Sequence, residues 1–220
     1  MSGTSFLYPF LNGDERDAGA LLADLAASAR AKARESAALQ RRTLAANATS
    51  IAQAGAAMAR RFADGGRLLV FGNGGSSTDA ATFADLFTNP LTRSPLPAIN
   101  LAADQAVVTA LGNDVGFDLV FSRQIAAYCG HHDIAVAFST SGSSADLMAG
   151  LREARARGLL TIGFAGYGGG DMAASPHVEH CFVIDSQSVH RIQESQALLG
   201  YHLWAAAAGG PTEKESTNDR

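Results

Sequence analysis

Residues 70–87 read VFGNGGSSTDAATFADLF: an apolar run, a turn of Gly72, Asn73, Gly74 and Gly75, then two serines and helix-forming sequence. Residues 135–151 repeat the plan as AVAFSTSGSSADLMAGL. A short apolar strand that enters such a turn and leaves as a helix is half of a βαβ unit. Two of them in one chain constrain the fold strongly. Parallel strands need a crossover of a dozen or more residues, and a helix supplies it. Strands covered by helices on both faces read as unbroken apolar runs, as these do.

The same texture extends from residue 67 onward. Strands are expected at 67–71, 97–101, 133–139, 159–165 and 178–184, with helices at 76–87, 105–111, 118–128, 144–157 and 190–207. The fold class is therefore α/β, a five-stranded parallel sheet flanked by helices, preceded by further helices. Residues 14–62 lack proline and are rich in Ala, Leu, Arg and Gln. Leu21, Leu22, Leu25, Ala29 and Ala33, then Leu39, Leu44, Ile51 and Met58, recur at helical spacing. Two long helices are expected there, breaking near Asn47. This divides the chain into a helical segment at 1–63 for self-association, a ligand-binding domain at 64–208 and a disordered polar tail at 209–220.

Composition removes several classes of function. A formal net charge of −4 argues against a general nucleic-acid or acidic-membrane surface. No apolar run approaches the roughly 20 residues of a spanning helix, and the start lacks a secretory pattern, so a cytoplasmic protein is expected. Cys129 and Cys181 have no C-x-x-C spacing and read as structural thiols. The only lysines are Lys32 and Lys214, outside the alternating region. That excludes Schiff-base chemistry and a lysine-tipped phosphate loop there.

Both turns fall where a parallel strand's carboxyl end meets a helix N-terminus, the edge at which doubly wound sheets bind ligands. Free helix-start amides favour an anion. Ser76-x-x-Asp79 and Ser143-x-x-Asp146 each fit a capping box. The run from Ser139 to Ser144 holds more hydroxyls than capping requires, and hydroxyls with amides can hold a phosphate without lysine. A dinucleotide fits poorly, because Ser77 occupies the third glycine position of G-x-G-x-x-G and no acid follows the second strand.

Five stretches in order, FGNGGSSTDAATFADLF, ALGNDVGFDLVFSRQI, AFSTSGSSADLMAGL, IGFAGYGGGDMAA and HRIQESQALLGYHL, resemble the sugar isomerase (SIS) domain family, most closely its phosphoheptose isomerase branch. The resemblance implies a flavodoxin-like three-layer sandwich, a phosphorylated sugar as ligand and a homotetramer with sites at subunit contacts. It implies a phosphate cradle of Ser139, Thr140, Ser141 and Ser144, sugar contacts from Asn73 and Ser76, a substrate-binding Asp114 and an active-site Gln193. Asp114 and Glu194 also admit a plainer reading, as turn caps or partners of Arg123 or Arg191.

The pattern breaks at the chemistry. Aldose–ketose interconversion needs a base at carbon and an acid, or a metal, at the carbonyl. Where the resemblance implies a zinc set of two histidines, a glutamate and a glutamine, this chain has Thr82, Tyr201, Leu86 and Gln193. No cofactor is therefore expected. Substitutes in reach are Asp85, His202 and His190, the last three residues before Gln193. A one-residue shift turns a helical side chain by about 100°, which counts against Asp85 and His202. The catalytic candidates are thus His190, Gln193 and Asp85. Two functions follow: an isomerase of sedoheptulose 7-phosphate or a related sugar phosphate with a degenerate catalytic set, or a non-catalytic phosphosugar sensor or assembly protein.

Overall fold

The computed structural model describes residues 18–91 and 93–209, so the expected tail beyond Gly209 lies outside the described residues. The elements run α1 (Ala18–Ala63), β1 (Leu68–Gly72), α2 (Gly75–Thr88), β2 (Ala98–Asn100), α3 (Gln105–Asp114), α4 (Val120–Tyr128), β3 (Ile134–Phe138), α5 (Ala145–Ala156), β4 (Leu160–Gly166), α6 (Gly170–Ala174), β5 (His180–Ile184) and α7 (Val189–Ala207). Residues up to Ala38 make one compact unit, and those from Leu39 onward make the other.

All four strand pairings are parallel, in the order β2-β1-β3-β4-β5. Alternation along the strands sorts side chains to two faces. Leu68 and Val70 of β1, with Ile134, Val136 and Phe138 of β3, join Ala80, Phe83 and Phe87 of α2, Leu199 and Leu203 of α7, and Ile51 and Met58 of α1 in one core. Leu69 and Phe71, with Ala135 and Ala137, face Phe121 and Ile125 of α4 and Leu147 and Leu151 of α5 in the other. The strands β1, β3 and β4 are buried throughout. That is why they read as apolar runs without alternation.

The chain leaves β1 for β2 on one side and returns to β3 on the other. This reversal is the switch point of a doubly wound sheet, where the two crossovers part and leave a crevice. Because Gly72 is in register with Phe138, the turns that follow β1 and β3 lie side by side. The two echoing sequence stretches flank this crevice.

Three expectations are corrected. The break near Asn47 does not occur: α1 runs through it, as Ala permits, and the Asn47 amide donates to the Thr43 carbonyl at 2.8 Å. Neither capping box forms. Gly74 is the N-cap of α2, leaving Ser76 inside the helix, and Ser144 is the N-cap of α5 with no side-chain bond. Ser143 Oγ instead accepts from the Asp171 amide at 3.1 Å, 28 residues away. The short helix α6 was not foreseen; it follows a glycine-rich turn that carries no apolar periodicity.

Candidate functional site

The β3–α5 turn is shaped from within. Ser139 is 4% exposed, and its Oγ accepts from the Gly142 amide at 2.9 Å and lies 3.4 Å from Ser141 Oγ. Ser141 Oγ also accepts weakly from the Ser143 amide at 3.3 Å. Ser139 thus builds the loop, whereas Ser141 is exposed and Ser144 makes no capping bond. With no side chain capping α5, its first-turn amides are available to an anion. Thr140 is half-buried, and its carbonyl accepts from Gly166 at the end of β4 at 3.1 Å.

Asn73 joins the two turns, donating from Nδ2 to Asp146 Oδ2 at 2.8 Å. Asp146, in the first turn of α5, is 3% exposed. Ser76 is 5% exposed and sits under the β1–α2 turn. The structure therefore brings Asn73, Ser76, Ser139, Thr140, Ser141 and Ser144 to one end of the sheet.

Beside them, α2 and α7 enclose a cleft. Asp79, Thr82, Phe83 and Leu86 line it from α2, Gln196, Ala197 and Gly200 from α7, and Phe138 closes the bottom. On α2 these are i, i+3, i+4 and i+7, one helix face. Gln193, Gln196, Ala197 and Gly200 repeat that spacing on α7. Phe83 meets Phe138 edge-on at 5.4 Å, and Phe138 stacks on Phe164 at 4.4 Å, so the cleft rests on packed aromatic rings. Its volume is about 90 Å³. Complete small-molecule sites are nearer 300–1,000 Å³. Two roomier clefts, between α4 and α5 and between α3 and α4, lie on the other face of the sheet, away from the loops.

Gln193 donates from Nε2 to Asp79 Oδ2 at 3.1 Å. It packs so closely on the β1–α2 turn that a Cβ on Gly75 would lie 2.5 Å from that nitrogen. Burial pushes the Asp79 carboxyl above the ordinary carboxylate value, and the Gln193 hydrogen bond opposes this in part. Gln196 is fully buried, and its Nε2 donates to the Ser139 carbonyl at 2.7 Å. A carbonyl only accepts, so that contact sets the amide's orientation and leaves Oε1 as the orphan. Among the described residues, Gln196 Oε1 and Ser195 Oγ are the buried side-chain atoms without a hydrogen-bond partner. Each such group costs about 1–3 kcal/mol unless something satisfies it.

Other candidates are not brought to the cleft. Asp85 is exposed and accepts from Asn89 Nδ2 at 2.5 Å, four residues along the outside of α2. The 100° turn per residue accounts for it. His190 is exposed at the second position of α7 and does not cap it, since Ser188 is the N-cap. Asp114 ends α3, exposed, with its carboxylate held by Asn113 at 2.9 Å. His202 packs edge-on against Tyr201 at 5.8 Å. The cleft-facing polar groups that sequence reading missed are Asp79, assigned to a cap, and Gln196. The matched i, i+3, i+4, i+7 spacing on the two helices was the available signal.

The residues present do not fit a zinc ion. Thr82 offers a hydroxyl already donating to the Thr78 carbonyl at 3.0 Å, Leu86 offers no donor, and Tyr201 is exposed against Trp204. Among the described residues no three His, Cys, Asp or Glu side chains converge. Protein zinc sites draw on such ligands.

The SIS domain family matches residues 33–166. A phosphoheptose isomerase of Solidesulfovibrio magneticus is 41% identical over 171 residues, covering 77% of this chain and 82% of that relative. One from Aquifex aeolicus is 41% identical over 148 residues, or 66% of this chain and 76% of the relative. The solved structure of a phosphoheptose isomerase from Francisella tularensis superposes with a TM-score of 0.77 at 31% identity, over 82% of this chain and 96% of that one. The chain belongs to the SIS domain family, on its phosphoheptose isomerase branch.

Proposed function

We propose that the protein binds a heptose or hexose phosphate and interconverts its aldose and ketose forms, with sedoheptulose 7-phosphate as the leading substrate. The observation that carries this reading is the juxtaposition of the two turns, joined by Asn73 and Asp146, beside a largely apolar cleft into which Asp79, Thr82 and Gln196 bring polar groups. The phosphate is assigned to Ser141, Ser144 and the first amides of α5, with Ser139 and Thr140 holding the loop. The sugar chain is assigned to the cleft between α2 and α7. Relatives named phosphoheptose isomerase support the substrate class. Turnover in this reading does not use zinc, because the donor set does not suit it.

The small cleft volume supports a site completed by a second copy of the chain, and Asp114 is a candidate for that contribution. We propose a homotetramer on this ground and on the family resemblance.

Binding tests the phosphate assignment. Losing a charge-assisted hydrogen bond costs about 1.5–3 kcal/mol, so Ser141→Ala/Ser144→Ala should weaken the calorimetric affinity for sedoheptulose 7-phosphate tenfold or more. An unchanged Kd would sink it. The second reading, a phosphosugar sensor, draws on Thr82, Leu86 and Tyr201 standing where catalytic groups are implied. Tight binding with no exchange of carbon-bound protons would select it.

A further inference from the structure

We propose that Asp79 is the group that moves the carbon-bound proton, and that Gln196 Oε1 receives the hydrogen bond of an adjacent sugar hydroxyl. The inference rests on the isomerase reading and supplies the residues it otherwise lacks. Among the side chains lining the cleft, Asp79 is the one that can take and return a proton; the rest are Thr82, an amide and apolar groups. Its carboxylate is anchored by one oxygen only: Oδ2 accepts from Gln193, while Oδ1 accepts no hydrogen bond from the described residues. That leaves one oriented oxygen beside the cleft. Gln196 supplies the complementary feature, a buried acceptor with no donor among the described residues. Because its other end holds the Ser139 carbonyl, the same side chain ties the phosphate loop to the sugar cleft. A sugar phosphate fits both ends of that link.

The step balances without an oxidant or a metal. On an open-chain ketose phosphate, Asp79 carboxylate takes a proton from C1. The C1–H electron pair becomes the C1=C2 double bond, and the C2 carbonyl becomes an enediolate oxygen. The O1 proton passes to O2 in the cis-enediol. An O1 electron pair then forms the C1 carbonyl, while the double-bond pair takes the proton back from Asp79 at C2. The product is the aldose phosphate, and the carboxylate is regenerated.

The test follows sedoheptulose 7-phosphate in deuterium oxide by NMR, reading deuterium incorporation at C1 and aldose formation, with calorimetric Kd measured in parallel. A positioned base contributes about 10²–10⁴-fold. Asp79→Asn, which retains an acceptor for Gln193, should cut exchange a hundredfold or more while Kd stays within about threefold. Asp79→Glu, with its carboxylate one methylene displaced, should keep measurable exchange, which separates lost chemistry from a lost fold. Gln196→Met should raise KM about tenfold with kcat within threefold. Exchange in Asp79→Asn within tenfold of the parent would overturn the assignment while leaving the isomerase reading intact. Exchange abolished by a chelator and restored by zinc would overturn it as well. A parent protein that binds the sugar phosphate yet exchanges nothing would overturn both.

Discussion

Asp79 sets function against stability in a single side chain. Half-burial raises its pKa, so the folded protein holds that proton more tightly than the unfolded chain does. The sign follows from linkage. Between the ordinary carboxylate value, near 3.9, and the raised folded value, the folded state binds more protons, so stability falls as pH rises through this window. At neutral pH the charged carboxylate is therefore a cost to the fold, reduced by its partial exposure and by Gln193. Asp79→Asn should melt at or above the parent temperature at pH 7, with the advantage shrinking as pH falls toward 4. Calorimetric melting across pH would check this, and an Asn variant several degrees less stable at pH 7 would refute it. Such a gain on removing a group is what a functional residue displays. Its identity was plain in the sequence, but its role was not. The amide that makes it a site residue belongs to Gln193, 114 positions away.

At the scale of elements, the site depends on how closely helices approach the sheet and one another. Gly55 of α1 lies against α7 so tightly that a Cβ there would sit 2.5 Å from Ala206 Cβ and 3.0 Å from its backbone carbon. Two effects compete at this position. Alanine is the better helix former by about 1 kcal/mol, whereas overpacking costs about 1–3 kcal/mol. Backbone cannot step aside as a flexible side chain can, so the steric cost should win. Gly55→Ala should lower the melting temperature, and Ala206→Gly should restore part of it in the double variant; an unchanged or raised value would show that α1 and α7 yield. The strands were legible because both faces of β1, β3 and β4 are buried, which leaves continuous apolar runs. Helix starts were less so. Ser76 and Ser143 carry capping-box spacing, yet tertiary contacts engage Ser143 elsewhere and fold Ser76 into the helix.

Across the whole molecule, the first part of α1 presents Leu21, Leu22 and Leu25 at 44%, 65% and 57% exposure. Single exposed leucines are ordinary, but three within five residues form an apolar patch, which we propose as a contact surface. We expect a homo-oligomer, a tetramer by family resemblance, by light scattering at micromolar concentration. Leu22→Glu/Leu25→Glu should yield a smaller species with its helical circular dichroism intact, and a monomeric parent protein would reject the idea. Among the described residues no helix is long and apolar enough to cross a membrane. By itself the sequence determined the five strands, the crossover helices that make them parallel, the hydroxyl-rich loop after the third strand, and the presence of Thr82, Leu86 and Tyr201 at the positions matched to zinc ligands. Each of these is encoded locally, in the period of apolar residues or in residue type at a matched position. Tertiary structure decided the rest. The bonds from Asn73 to Asp146, Gln193 to Asp79 and Gln196 to Ser139 join positions 73, 114 and 57 residues apart. No local pattern specifies such pairs, because they arise only when strand register and helix packing bring distant faces together. Asp85 shows the same reason in reverse: one position along a helix is a different face, and on that face the carboxylate is exposed and accepts from Asn89.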